Sequence, residues 1–298
     1  MAVLTAQGIA STAIPLLIRN LVLARTVSMV PSDEFGGPNG ETITVRVPQP
    51  GRAREQENRG DLLVADDVYE VPVDVAMKHL YHLKNVTDQE LTFDLENFAR
   101  QVTRVQTSAV ATSAEEQLTD VMNALAGDGQ TDGTAADTRS ALLEARAFLS
   151  SNDAPAGSRY LAVGPNFANI VLELLGDRET ANTDSALREA TLGRLFGFTV
   201  VESNGLDADS AVAYHSSGFV WANRIPRPAR GAGESAATSD QGVGLRQVFQ
   251  YDASRAQDQS LLSTFAGAAA VYDWDFDESG EPESGDVAKR FYKLEIGS

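Results

Sequence analysis

Cysteine is absent from this 298-residue chain, histidine occurs three times, and only Lys78, Lys84, Lys289 and Lys293 are lysines among 24 cationic residues. Without cysteine there is no disulfide framework, no thiolate metal site and no cysteine nucleophile. A formal charge of −18 argues against a dedicated DNA or RNA binder, which needs a surplus of cations on one face. Long hydrophobic runs are missing too. Ile14 to Leu23 is mostly apolar, but Arg19 and Asn20 interrupt it well short of the ~20 residues of a membrane span, and no cation precedes Arg19 as in a signal peptide. It reads as a short amphipathic helix with Pro15 near its first turn. What remains is a composition of 43% hydrophobic and 22% charged residues, enough for one large domain or two modest ones around a real core.

The pattern along the chain is that of an α+β protein. ETITVRVP sets Ile43, Val45 and Val47 against Thr42, Thr44 and Arg46, the alternation of a strand with one apolar face. A charged tip follows, and then VYEVPVDVAMKHLYHLKNV alternates over a distance on the order of 40 Å if it is one extended strand. Pro72 places part of it on an edge. Asp94 is an N-cap candidate for one long helix to Ala126, with Gly127 as its C-terminal cap. Its stripe Leu95, Phe98, Val102, Val105, Ala109 continues, displaced by about one residue, as Ala114, Leu118, Val121 and Leu125. A second helix is expected over Thr138 to Ser150 with Asp137 as cap. RYLAVG reads as a buried strand, GPNFANIVLELLG as a helix opened by Pro165, and SALREATLGRL as another helical piece. Strands follow at Phe198 to Glu202, Ala211 to Tyr214 and Phe219 to Asn223. Pro226 to Gly244 has almost no apolar content and is expected to be a mobile loop. LRQVFQYD, LLSTFAGAAAVYDWDF and KRFYKLEI are expected as three closing strands, the last two separated by the acidic loop DESGEPESGD.

Candidate chemistry is thin. His79 and His82, three apart on a strand, face opposite sides and do not share a metal. Asp273, Asp275 and Asp277 are spaced like the start of an EF-hand loop, but the sixth position is Glu278 instead of glycine and the twelfth is Ser284 instead of glutamate. The glycine-rich stretches lack the spacing of a phosphate cradle. Ser216 and Ser217 beside His215 read as turn residues, with no G-x-S-x-G elbow. No catalytic, cofactor or metal residue is assigned, and the chain is read as a non-enzyme.

The order of these segments resembles the major capsid proteins of tailed phages, which share the Hong Kong 97-like (Johnson) fold, and within them the Salmonella-phage-type coat branch. The likeness is carried by ETITVRVP, VYEVPVDVAMKHLYHLKNVTDQELTFDLENFARQV, RYLAVGPNFANIVL, REATLGRLFGFTVVESNGL and the late LRQVFQYD. The resemblance implies an N-terminal arm over 1–35, an extended loop over 36–77, a peripheral domain with a spine helix over 78–126, an axial domain over 127–251, and return strands of the peripheral domain over 252–298. It implies pentamers and hexamers of this chain closing an icosahedral virion shell around double-stranded DNA, without sequence-specific contact and with no membrane.

Contacts with a neighbouring subunit are then expected at the tip of the extended loop, through Arg52, Arg54, Glu55, Glu57, Arg59 and Asp61. Some relatives crosslink a lysine of that loop covalently. Residues 36–77 hold no lysine, so a shell without isopeptide bonds is expected. The chain begins with the arm, which points to a separate scaffolding protein, with a portal and decoration proteins as further partners and the host cytoplasm as the place of assembly. Two rivals stand beside this reading: an encapsulin-type compartment enclosing protein cargo, and an acidic calcium-stabilised hydrolase built on Asp273, Asp275 and Asp277.

Overall fold

The computed structural model describes residues 6–30, 41–49, 55–56, 58–60, 62–63, 65, 69–90, 99–176, 191–229, 231, 233–276 and 282–297. In chain order the elements are α1 (Ala6–Asn20), β1 (Ser28–Val30), β2 (Thr42–Pro48), β3 (Glu70–Ala76), β4 (Lys78–Thr87), a π-helical turn (Ala99–Thr103), α2 (Arg104–Asn123), β5 (Gly129–Thr131), α3 (Ala135–Ser151), β6 (Arg159–Val163) and α4 (Pro165–Gly176). They continue as β7 (Thr191–Leu195), β8 (Phe198–Glu202), β9 (Ser210–His215), β10 (Phe219–Arg224), β11 (Glu234–Asp240), β12 (Val243–Asp252), β13 (Gln257–Ala270), β14 (Asp273–Phe276), β15 (Pro282–Val287) and β16 (Phe291–Ile296).

The first sheet runs β1-β10-β13-β12-β11, with β4 paired to β13. Its inner face is covered by α1 and α2: α1 lies against β11, β12 and α2, and α2 lies against β13 and β4. Leu17, Leu118, Met122, Trp221, Leu245 and Leu262 form this core, and Trp221 Nε1 donates to Ala114 O of α2 at 3.2 Å. The second sheet runs β5-β16-β9-β6-β8-β7. Leu161, Val163, Val200, Ala211 and Ala213 meet α3 and α4 through Leu142, Leu149 and Phe167, while Ala162, Val201, Val212 and Tyr214 on the opposite face join the first core. That two-sided burial explains why RYLAV is apolar without alternation.

Several expectations are corrected. Pro15 lies inside α1, not in its first turn. The long alternating stretch is two strands that part at Met77: β3 pairs antiparallel with β2, whereas β4 pairs antiparallel with β13. A side chain at Gly267 would meet Ala76 O at 2.2 Å, so glycine there admits the crossing. The long helix ends at Asn123, three residues early, where Lys293 Nζ donates to the carbonyls of Asn123 and Leu125 and satisfies the helix end in place of a glycine cap. Its expected start at Asp94, with Leu95 and Phe98, lies outside the described residues. The expected change of stripe is not seen: Val102, Gln106, Val110, Ala114, Leu118 and Met122 form one buried row, and Val105, expected on the stripe, is half exposed. Thr134, not Asp137, caps α3 by accepting from Asp137 N–H.

Thr191–Leu195, expected within a helix, is a strand turned onto β8 through Phe196 and Gly197, both at positive φ; residues 177–190 lie outside the described set. The expected mobile loop contains β11, joined to β12 through Gln241 and Gly242 at φ 50° and 81°. LLSTFAGAAAVYDWDF divides into β13 and β14, and Pro282–Val287 of the expected acidic loop pairs with β14. Phe291–Ile296, expected with the peripheral return strands, pairs instead with β9 and β5 of the second sheet, because Leu294 and Tyr292 fill the core beneath α3. Among the described residues, no helix is long and apolar enough to cross a membrane.

Candidate assembly surfaces

The β2–β3 hairpin is built on one stripe. Ile43, Val45 and Val47 face Val75, Val73 and Val71 in register, and the stripe rests on Val30, Val220, Ala222, Val271 and Trp274. The other face is polar and exposed: Thr44 Oγ1 donates to Asp74, and Arg46 lies 3.5 Å from Glu70, with 76% and 37% of the two side chains exposed.

An ionic knot ties the loop end of the hairpin stem, at Gln49, to Asp273 of β14 and to Arg290 just before β16. Asp273 receives Arg290 in a two-pronged pair, Nε to Oδ2 at 2.8 Å and Nη2 to Oδ1 at 2.5 Å, and also accepts from Gln49 Nε2 at 3.0 Å. Lys289 Nζ donates to Asp275 Oδ1 and Trp274 O, both at 2.9 Å. These contacts overturn the calcium reading of the acidic run, since a guanidinium and an ammonium already occupy the carboxylates of Asp273 and Asp275. Asp277 lies outside the described residues. Asp273 itself is 4% exposed.

At the tip, Glu55 and Arg59 are exposed, and Arg52, Arg54, Glu57 and Asp61 lie outside the described residues. Two residues that the sequence reading passed over stand out there: Leu62 and Leu63 are 94% and 82% exposed. Their signal was available in DLLVADD, where an apolar group interrupts a charged stretch with no partner strand to cover it.

His79 and His82 point to opposite sides of β4. The His79 ring lies 4.8 Å from that of Phe265, and burial together with Arg246 lowers its pKa. His215 accepts from Ser217 N–H at Nδ1 (3.2 Å), with Ser217 Oγ 2.8 Å away. The imidazole thus caps the turn of residues 216–218. Burial, with Arg290 and Arg159 nearby, lowers its pKa. Among the described residues no cluster of three metal-ligating side chains occurs.

The segment after α1 is pinned to α2. The Glu115 carboxylate accepts from Leu23 N–H, and the N–H groups of Val22 and Ala24 also point to it. Burial raises its pKa against these stabilising donors.

The chain superposes on solved structures over most of its length. A chain from Mycobacterium phage Che8 superposes with a TM-score of 0.61 at 19% identity, over 92% of this chain and 90% of that one. The capsid of cyanophage P-SCSP1u gives 0.60 at 11% identity over 93% and 88%, and a virus-like particle from Pyrococcus furiosus gives 0.57 at 11% over 97% and 98%. The protein has the Hong Kong 97-like capsid fold. No family model matches the sequence, and no curated protein does.

Proposed function

We propose that this chain is the major capsid protein of a tailed bacteriophage, a non-catalytic subunit whose copies form pentamers and hexamers and close an icosahedral shell around double-stranded DNA. The observation that carries this reading is the whole-chain superposition on capsid subunits, matched over about nine tenths of both partners. The exposed hairpin supports it: a two-stranded element held along one stripe and ending in Leu62 and Leu63 leaves apolar surface in water, which burial against another molecule relieves.

The −18 charge suits a container that holds DNA without gripping it. Assembly then rests on many weak contacts, with exposed ion pairs at the tip contributing about 0 to 1 kcal/mol each. Electron microscopy of the expressed chain, alone and with neighbouring gene products, is expected to show regular closed particles containing nucleic acid. A stable soluble species of 31.8 kDa overturns the reading, and particles filled with protein cargo favour the encapsulin-type compartment. Denaturing gels of the particles are expected to show monomer only, because the extended loop offers no lysine.

A further inference from the structure

Three pairs among the described residues join Asp or Asn to a following glycine: Asp128–Gly129, Asp132–Gly133 and Asn204–Gly205. Glycine in second place has no side chain to keep its backbone nitrogen away from the carbonyl carbon of the side chain before it. In the first two pairs that side chain is tied down. Asp128 Oδ2 accepts from Lys293 N–H at 2.8 Å, and Asp132 Oδ1 accepts from Thr134 N–H at 2.8 Å and from Thr134 Oγ1 at 2.7 Å. Asn204 differs. It is exposed, and its amide has no hydrogen-bond partner among the described residues.

The fold itself demands the glycine of this third pair. The turn between β8 and β9 lies against the end of α2, and a Cβ at Gly205 would meet Thr119 Oγ1 at 2.8 Å. One α2 side chain clamps the turn: Asn123 Nδ2 donates to Gly205 O at 3.1 Å, and Asn123 Oδ1 accepts from Asp207 N–H at 3.0 Å. The Gly205 N–H is held only by Ser203 Oγ, at 3.3 Å. The carbonyl side of Gly205 is thus fixed, while its nitrogen follows a loose and thermally labile amide.

We propose that Asn204 is a self-modifying site whose conversion loosens the joint between α2 and the second sheet. The Gly205 nitrogen gives its proton to solvent and attacks Asn204 Cγ. The new N–Cγ bond closes a succinimide ring as the side-chain nitrogen leaves as ammonia. Water, the co-reactant, then opens the ring at either carbonyl, leaving aspartate, or isoaspartate in which the main chain runs through the former side chain. Either product places a carboxylate on a pocket of about 370 Å³ that Asn204 lines together with Glu115, Glu116 and Glu202, where like charges repel. Isoaspartate also lengthens the main chain just before Gly205. That shift draws Gly205 O and Asp207 N–H away from Asn123.

The test ages the purified full chain in mildly alkaline buffer made with heavy-oxygen water and maps its peptides by mass spectrometry. Aspartate and isoaspartate are expected together at position 204, both carrying heavy oxygen, while the peptides of Asp128 and Asp132 take up none. Amide hydrogen exchange of the aged chain is expected to show lost protection at Asp207 N–H. Asn204→Gln, with a longer side chain that closes the ring poorly and no hydrogen bond to lose, is expected to match the fresh wild-type melting temperature and to keep that protection after the same treatment. An intact amide at 204, acid there without isoaspartate, or heavy oxygen at Asp128 and Asp132 to the same extent overturns the assignment of the site. Equal loss of protection in wild type and Asn204→Gln overturns the loosening of the joint.

Discussion

α2 and the β2–β3 hairpin are held in opposite ways. α2 is packed on the first sheet and against α1, it anchors Trp221 through Ala114 O, and its C-terminal carbonyls are met by Lys293. The hairpin is held along one stripe and at one knot, Gln49 with Asp273 and Arg290, while its other face and its tip meet water. The difference separates two energetic roles. Changes in the α2 region should be felt when the subunit folds, and changes toward the hairpin tip when subunits meet.

That contrast can be broken by graded substitutions. Trp221→Ala is expected to cost about 3–5 kcal/mol in urea unfolding, because Trp221 is fully buried and its loss also leaves Ala114 O without that donor. Arg290→Ala is expected to cost about 3 kcal/mol, since it strands a buried carboxylate. The Asp273 side chain is only 6% exposed. The same variant should open the loop end of the hairpin stem, around Gln49, to limited proteolysis before global unfolding. Equal protection in wild type and variant would show that the knot does not hold the hairpin.

Glu115 gives a smaller, pH-dependent effect. Its folded pKa lies above the ordinary carboxylate value because of burial, so its contribution is largest where the carboxyl is protonated and is lost as pH rises through the folded value. Lowering the pH through the carboxylate range should therefore shift the melting-temperature difference between wild type and Glu115→Gln in favour of wild type. A difference that does not change with pH would remove Glu115 from the account. Arg46→Ala, on the exposed hairpin face, is expected to change unfolding free energy by less than about 1 kcal/mol. A loss larger than that of Arg290→Ala would reverse the proposed division between folding and assembly.

How much of this was legible depended on how local the cause was. RYLAV, the helix opened by Pro165 and the strands near 198, 211 and 219 were readable because each carries its own apolar run and its own punctuation. β11 was not, because Ser235, Ala237 and Ser239 are small, two of them polar, and only Ala236 reaches the core; the strand exists because β12 supplies its hydrogen-bond partners. The acidic run misled for a similar reason. Nothing near Asp273 in sequence announces Arg290, and the two meet only when the chain turns back after β15.

The hairpin tip was partly read. Its charge and exposure were anticipated at Glu55 and Arg59, and its two leucines were passed over although DLLVADD carried their signal; the structure added that they are exposed.

By itself, then, the sequence determined the class of the protein: no thiol chemistry, no membrane-spanning run, an excess of acid, and a segment order that resembles a capsid subunit. The first three follow from composition alone, whereas the last is a resemblance carried by the order of the segments. The tertiary structure alone decided where the long alternating stretch divides, which sheet takes the last strand, and which cations hold Asp273 and Asp275. Each of these depends on residues distant in sequence that compete for the same hydrogen bonds or the same buried surface, and that competition is settled only when the whole chain packs.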